Sequence, residues 1–339
     1  MKAVAVLSPG QLGIVEIPMP PLEKYECRVK VLACGICNGT DLKIIDNQLS
    51  DFEVKYPAIL GHEDVNEVVE VGSQVRHIRV GDRFTNSIGR LAPGVPYTNA
   101  FGAMKEFAIV QDHRAMEELG LDPKLRSGHW AKPIPREMDP IGATVLLTLK
   151  ETCSALINFG FQKGMDALVF GDGPVGLALC QFLRFKGASW IGCVGHHADR
   201  LETIGRLAAP DLLVNGRTEE IESRMAGRRI DLVVDAVGST AIIRRGSKML
   251  KPGGKVGCYG VLKKSDRMIA FNEIANNVSL HTLNWPYGEH SVHGELVNMV
   301  MNGQLNLKHY YSHVLPMEQA EDGVRRLRSR EALKVVLTF

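Results

Sequence analysis

The sequence has no unbroken apolar run near the roughly 18 residues that a membrane-spanning helix requires. Cysteine is sparse and unevenly placed: there are seven, with none between Cys37 and Cys153. An odd count in a chain this long argues against a disulfide framework. Charge of one sign is also lacking, since 40 Lys and Arg stand against 38 Asp and Glu, a net of +2. That balance removes the electrostatic reason to expect nucleic acid or an anionic membrane surface as partner. Repeats and low-complexity segments are absent, and aromatics, at 6%, argue mildly against a large planar apolar substrate. The N-terminal MKAVAVLSPGQLGIVEI carries one Lys and strand-like alternation rather than a signal peptide's charged start and apolar stretch. The compartment expected is the cytoplasm. What is present is 339 residues of ordinary globular composition, enough for two domains.

The pattern changes part-way along the chain. Residues 1–150 read as short strands with period-two alternation, such as ECRVKVLACGI (26–36), EVVEVGSQV (67–75) and VGDRF (80–84), separated by Gly, Pro and Asp. Residues 151–288 alternate strands with helices: ALVF (167–170), the helix VGLALCQFLRFKG, WIGCV (190–194), DLVVDAVG (231–238), helical IIRRGSKMLKPGG, and KVGCYGV (255–261). Such alternation indicates a parallel, doubly wound α/β sheet. Residues 289–339 carry helices near 294–302 and 317–328 and a closing strand, ALKVVLTF, expected to pair with the N-terminal β domain. The basic RRLRSR (325–330) reads as a solvated helix end.

Gly171-Asp172-Gly173-Pro174-Val175-Gly176 fits G-x-G-x-x-G between a strand and a helix. The glycines permit a tight turn, close approach of a pyrophosphate and close packing of helix on strand, and the helix N-terminus offers free N–H groups. The next strand ends at Gly195, followed by His196, His197 and Arg200, with no Asp or Glu to accept from the adenosine ribose. Two imidazoles and a guanidinium favour a 2′-phosphate, and a single charge pair at ~4 Å is worth roughly 1–4 kcal/mol. NADP(H) is therefore preferred over NAD(H), with indifferent use of NAD(H) the alternative.

Cys34-Gly35-Ile36-Cys37-Asn38-Gly39-Thr40-Asp41 and Gly61-His62-Glu63-Asp64 hold the candidate chemistry. Thiolate and imidazole are natural Zn²⁺ ligands, and a catalytic zinc needs three protein ligands and an open position. A metal-bound alcohol loses its proton more easily, with Thr40 as candidate relay and Asp41 as a group that orients His62. The plainer alternative treats Cys34, Cys37 and His62 as packed strand-end residues.

With these segments in hand, GICNGTD, GHEDVNEVVEVGSQV…VGDRF, FGDGPVG and KPGGKVGCYG resemble the zinc-dependent medium-chain alcohol/polyol dehydrogenases over nearly the whole chain. The resemblance implies a GroES-like β catalytic domain (1–150 and 289–339), a Rossmann dinucleotide-binding domain (151–288), and an active site in the cleft between them. It implies Cys37 and His62 as zinc ligands, Glu63 on or beside the metal directly or through water, Thr40 as proton relay, and Val237 and Gly238 near the nicotinamide. The substrate implied is a small-molecule secondary alcohol or ketone, polyol or sugar-like, and the assembly a homodimer or homotetramer.

Four departures qualify the transfer. Asn38 lengthens the G-I-C loop by one residue. Asn66 replaces a glycine and is expected to tolerate positive φ. The cysteine-rich lobe for a structural zinc has no counterpart, so one catalytic zinc is expected. The third-ligand position falls at Leu147 or Thr148, neither a good ligand, which turns attention to Glu151 one helical turn on, with Cys153 as fallback. His290 and His293 read as surface residues, and Trp285-Pro286-Tyr287 as substrate wall or packing. Two rival functions stay open: a zinc-free quinone or enone reductase of the same superfamily, and an NADPH-binding protein without turnover.

Overall fold

The computed structural model describes residues 1–49, 53–87, 89–122, 131–284 and 287–339. Its chain divides into two compact units, Met1–Leu147 with His293–Phe339, and Thr148–Val292.

The first unit is built on the strand Glu26–Gly35, whose alternating residues Cys27, Val29 and Val31 point into a core with Val68, Phe84, Ala108 and Val110. Its partners position the site. Glu63–Val71 runs antiparallel to it with Gly35 opposite Glu63, and on the other side Val335–Thr338 runs antiparallel with Leu337 opposite Cys34. Residues far apart in sequence thus converge on one strand end. The closing strand does join the N-terminal β structure. A smaller sheet, in the order Gln11–Glu16, Lys2–Ser8, Ala58–Ile59, Thr98–Asn99, lies in the same unit.

The second unit holds six parallel strands in the order Leu212–Asn215, Trp190–Gly195, Asp166–Phe170, Ile230–Asp235, Leu250–Cys258, Ser279–Thr282. This 3-2-1-4-5-6 order is the Rossmann arrangement, with its switch point between the first and fourth strands. Helices on both faces explain the continuous apolar runs: Leu168, Phe170, Val194, Val214, Val233 and Val256 are all buried. One boundary differs from expectation. The helix Thr240–Ser247 stops early and strand pairing begins at Leu250, opposite Ile230, before the whole KPGG stretch. Pro252 cannot donate within a helix and Gly253 takes a φ of +82°, so this stretch becomes an irregularity within the strand.

One helix of the protein, although interrupted by Lys150 and Glu151, is long and apolar enough to be weighed as a membrane span. The continuous stretch Pro140–Asn158, 19 residues that include Pro140–Ala143 and Leu146–Asn158, holds a window of mean hydropathy 1.2, enough by length and composition to cross a membrane, but 78% of that window is buried inside the protein. It is a core helix, apolar because protein surrounds it.

Candidate active site

Cys37 sits in the turn after Glu26–Gly35, and its N–H donates to Asp41 Oδ2 at 2.8 Å. His62 and Glu63 enter at the start of the adjacent strand. One donor atom each from Cys37, His62 and Glu63 lie within 4.8 Å of one another, the one such group among the described residues. His62 is held from two sides. Its Nδ1 faces Asp41 Oδ1 at 3.6 Å, and the Phe101 ring packs on it at 4.8 Å with a 53° tilt. Phe101 has a φ of 72°, an unfavourable conformation for a bulky residue that the surroundings must impose. Burial works against a charged His62, but Asp41, Cys37 and Glu63 outweigh it and raise the imidazole to about 10. These groups make a field that holds a cation, whether a proton or a metal ion that competes with it.

Glu63 already has one cationic neighbour. Lys334 Nζ lies 2.5 Å from its Oε2, both side chains almost wholly buried at 5% and 3% exposure. Burial opposes the ammonium, yet Glu63 and then Cys37 hold it above its ordinary value. Gly35 makes the pair possible, because a Cβ there would overlap Glu63 Oε2 and press on the Lys334 stem.

Beneath the cluster Asp64 is fully buried, and burial raises its carboxyl. Its Oδ2 accepts from Asn66 Nδ2 at 2.7 Å and from the Ser87 hydroxyl, while Asn86 Nδ2 donates to the His62 carbonyl at 2.9 Å. This accounts for Asn66. Its backbone is ordinary strand, paired with Val31 and Phe84, so the residue serves its amide's bond to Asp64 and not a left-handed turn. Thr40 precedes the helix Asp41–Ile45 half-buried, and its hydroxyl makes no capping bond. Asn38 is exposed, with Nδ2 3.5 Å from the Leu333 carbonyl.

In the second unit Gly171, with φ +135°, ends Asp166–Phe170, and Gly173 precedes the helix Pro174–Phe185. A Cβ on Gly176 would overlap the Gly171 carbonyl, so helix and turn pack at a distance only glycine allows. A Cβ on Gly173 would meet nothing within 4 Å, and this open space beside the N–H groups of Val175 and Gly176 suits a pyrophosphate. Across the switch point, Asp235 accepts from the N–H groups of Val237, Gly238 and Ser239 at 2.9–3.0 Å. The Val237 turn packs close to Gly171: a Cβ there would meet Ala236 at 3.1 Å and Val237 at 3.5 Å.

At Gly195 the sequence reading needs correction. A carboxylate does stand there, supplied by Asp172 from within the glycine motif. Asp172 Oδ2 accepts from the N–H groups of His196 at 2.6 Å and His197 at 2.8 Å, and lies 2.9 Å from His197 Nδ1. Burial opposes its charge, but these N–H groups and His197 bring its carboxyl below the usual value. Arg200 follows in the first turn of Ala198–Ala208.

Glu151 belongs to the second unit and is not in the Cys37–His62–Glu63 group. Its Oε2 accepts from the Tyr259 hydroxyl at 3.0 Å. Leu147, Thr148 and Cys153 are buried, Cys153 at 1% exposure. His290 and His293 are not surface residues. His290 Nδ1 lies 3.3 Å from Nζ of the fully buried Lys150, and His293 Nε2 donates to the Pro133 carbonyl at 2.8 Å. A lysine on an apolar buried helix needs such an acceptor. Trp285 and Pro286 lie outside the described residues, and Tyr287 Oη donates to the Glu151 carbonyl at 3.5 Å. Sequence reasoning missed Lys334, Phe101 and the reach of Asp172. The one available signal was a lone lysine inside the apolar ALKVVLTF.

Two family models match this chain: the alcohol dehydrogenase GroES-like domain over residues 23–119 and the zinc-binding dehydrogenase over residues 174–300. The chain belongs to the zinc-type medium-chain dehydrogenase/reductase family. This dehydrogenase is similar along its length to D-arabinitol dehydrogenase 1 of Uromyces fabae, at 23% identity covering 99% of the chain and 97% of the relative. It is similar to sorbitol dehydrogenase of Bacillus subtilis strain 168, at 25% over 99% and 97%. Its fold matches the alcohol dehydrogenase TADH from Thermus sp. ATN1, with a TM-score of 0.78, 24% identity, and coverage of 100% and 99%. The dehydrogenase is an oxidoreductase of the alcohol/polyol class.

Proposed function

We propose that the chain moves hydride reversibly between a secondary alcohol, polyol or sugar-like, and NADP(H), with one zinc ion held by Cys37, His62 and Glu63. The observation that carries this reading is the convergence of a thiol, an imidazole and a carboxylate within 4.8 Å. It is a mixed S/N/O donor set of the kind catalytic zinc uses. Zinc bound there would supply Lewis acidity toward the substrate hydroxyl. The chain's own residues do the rest. Asp41 fixes the face of His62, Phe101 covers its ring, and the uncommitted Thr40 hydroxyl carries the substrate proton outward. Three donors suffice for a catalytic site, so Glu151 is assigned to its hydrogen bond with Tyr259 instead. Gly171, Gly173, Pro174, Val175 and Gly176 take the pyrophosphate, and the Val237–Gly238 turn takes the nicotinamide side. His196, His197 and Arg200 take the 2′-phosphate. Association as a homodimer or homotetramer, with the exposed edge strand Ser279–Thr282 extending the sheet across a two-fold axis, completes the reading.

The test is zinc per chain in unsupplemented protein, followed by oxidation of an alcohol and polyol panel with NADP⁺ and NAD⁺. About one zinc, with activity lost in folded Cys37→Ser and His62→Ala variants, is the expected outcome. Zinc near zero after loading, with enone reduction intact, would favour the metal-free reductase, a reading in which Lys334 remains the permanent cation of Glu63.

A further inference from the structure

We propose that Asp172, the variable residue between the first two glycines of the motif, is the residue by which this chain reads the 2′ position of the adenosine ribose. This rests on the dinucleotide reading above and concerns its selectivity. In doubly wound folds the ribose 2′-hydroxyl is ordinarily read by an acid at the end of the second strand. Here that strand ends at Gly195, and the carboxylate arrives from the first strand's turn. The two positions are fitted to each other. A Cβ on Gly195 would stand 2.5 Å from Asp172 Cβ and 2.6 Å from its Oδ2, so the strand-end residue is glycine to admit this side chain.

The bonds of Asp172 determine its effect on the cofactor. Its Oδ2 takes the N–H groups of both His196 and His197 and lies against the His197 ring. Those two backbone donors are the ones the turn would otherwise offer to an anion, and Asp172 consumes them while adding a negative charge of its own. A carboxylate with one oxygen so committed still has acceptor capacity for a ribose hydroxyl at the other. A 2′-phosphate must instead rely on the side chains of His196, His197 and Arg200, against the Asp172 charge. Asp172 therefore lowers the chain's preference for the phosphorylated cofactor below what the His-His-x-x-Arg segment alone would give.

Calorimetric dissociation constants of the unreacted protein test this, using NADPH and NADH and, as minimal probes, adenosine 2′,5′-bisphosphate and adenosine 5′-monophosphate. In Asp172→Asn the ratio of affinities should move toward the 2′-phosphorylated ligand by about tenfold, the scale of one near-surface charge interaction. A change in that ratio smaller than about threefold in folded protein, even with all affinities reduced together, would mean that Asp172 merely braces the turn, and would overturn the proposal. Should Asp172→Asn fail to fold, the double variant Asp172→Gly with Gly195→Asp moves the carboxylate back to the strand end. Its ratio should stay within about threefold of the native one, and a larger shift toward the phosphorylated ligand would refute the equivalence. The native ratio alone tests the NADP(H) reading. A native preference for NADH would sink that reading and leave the predicted change on substitution standing.

Discussion

Two carboxylates, one in each unit, are packed against a glycine that cannot have a side chain. Glu63 lies over Gly35, and Asp172 lies over Gly195. Their partners differ in kind. Glu63 meets the tip of Lys334, a long stem with several rotatable bonds, whereas Asp172 meets two backbone N–H groups and an imidazole fixed by the same turn. An ammonium on a flexible chain can yield its place to another cation when one side chain rotates. A lattice of backbone donors yields only if the loop itself unfolds. The first arrangement suits a group that exchanges partners, and the second a group that sets the shape and charge of a fixed pocket.

The largest expected effect comes from breaking the flexible pair. Lys334→Met leaves a buried carboxylate without its counter-charge and should cost about 3–5 kcal/mol in denaturant unfolding of metal-free protein. Added zinc should recover part of that loss, because Glu63 then regains a cation; no recovery would argue that Glu63 is not a ligand. A second lysine sharpens the contrast. Lys105 is fully buried and donates to the Arg90 carbonyl at 2.9 Å, and burial brings it down to about 7. Above that pH the folded chain has released a proton that the unfolded chain keeps up to 10.5. Stability should therefore climb with pH across this window, by an amount on the order of a few kcal/mol, and Lys105→Met should lose the climb. Urea titrations of both proteins near the two ends of the window decide it; parallel curves would refute it. The smallest effect is expected where backbone holds the carboxylate. Gly195→Ala forces a methyl against Asp172 and should cost about 1–3 kcal/mol, read as a lower melting temperature. A neutral result would mean that Asp172 swings away freely.

Much of this was legible in the sequence because it is local. Strand, glycine turn and helix lie within twenty residues around Gly171, and Cys37, His62 and Glu63 sit in short segments whose residue types declare their chemistry. Asn66, by contrast, sits where a glycine was expected, and only its bond to Asp64 explains it. What stayed hidden depends on pairing across long separations. Lys334 reaches Glu63 only because Val335–Thr338 adds to the strand that Glu63–Val71 also flanks. Nothing within the glycine motif itself announces that Asp172 packs against Gly195 at the end of the next strand. The two histidines at 290 and 293 looked like surface residues because nothing near them in sequence announces a buried Lys150 or the Pro133 carbonyl.

The wide separation of Glu63 and Lys334 has a bearing on the order of synthesis. About 270 residues must be added between them, which at 5–20 residues per second takes tens of seconds. Throughout that interval the nascent chain holds a thiol, an imidazole and two carboxylates in neighbouring segments with no ammonium assigned to them. A divalent ion captured early would meet Glu63 before Lys334 exists, and because the lysine stem can rotate away, the two would then compete for one carboxylate by affinity rather than by order of arrival.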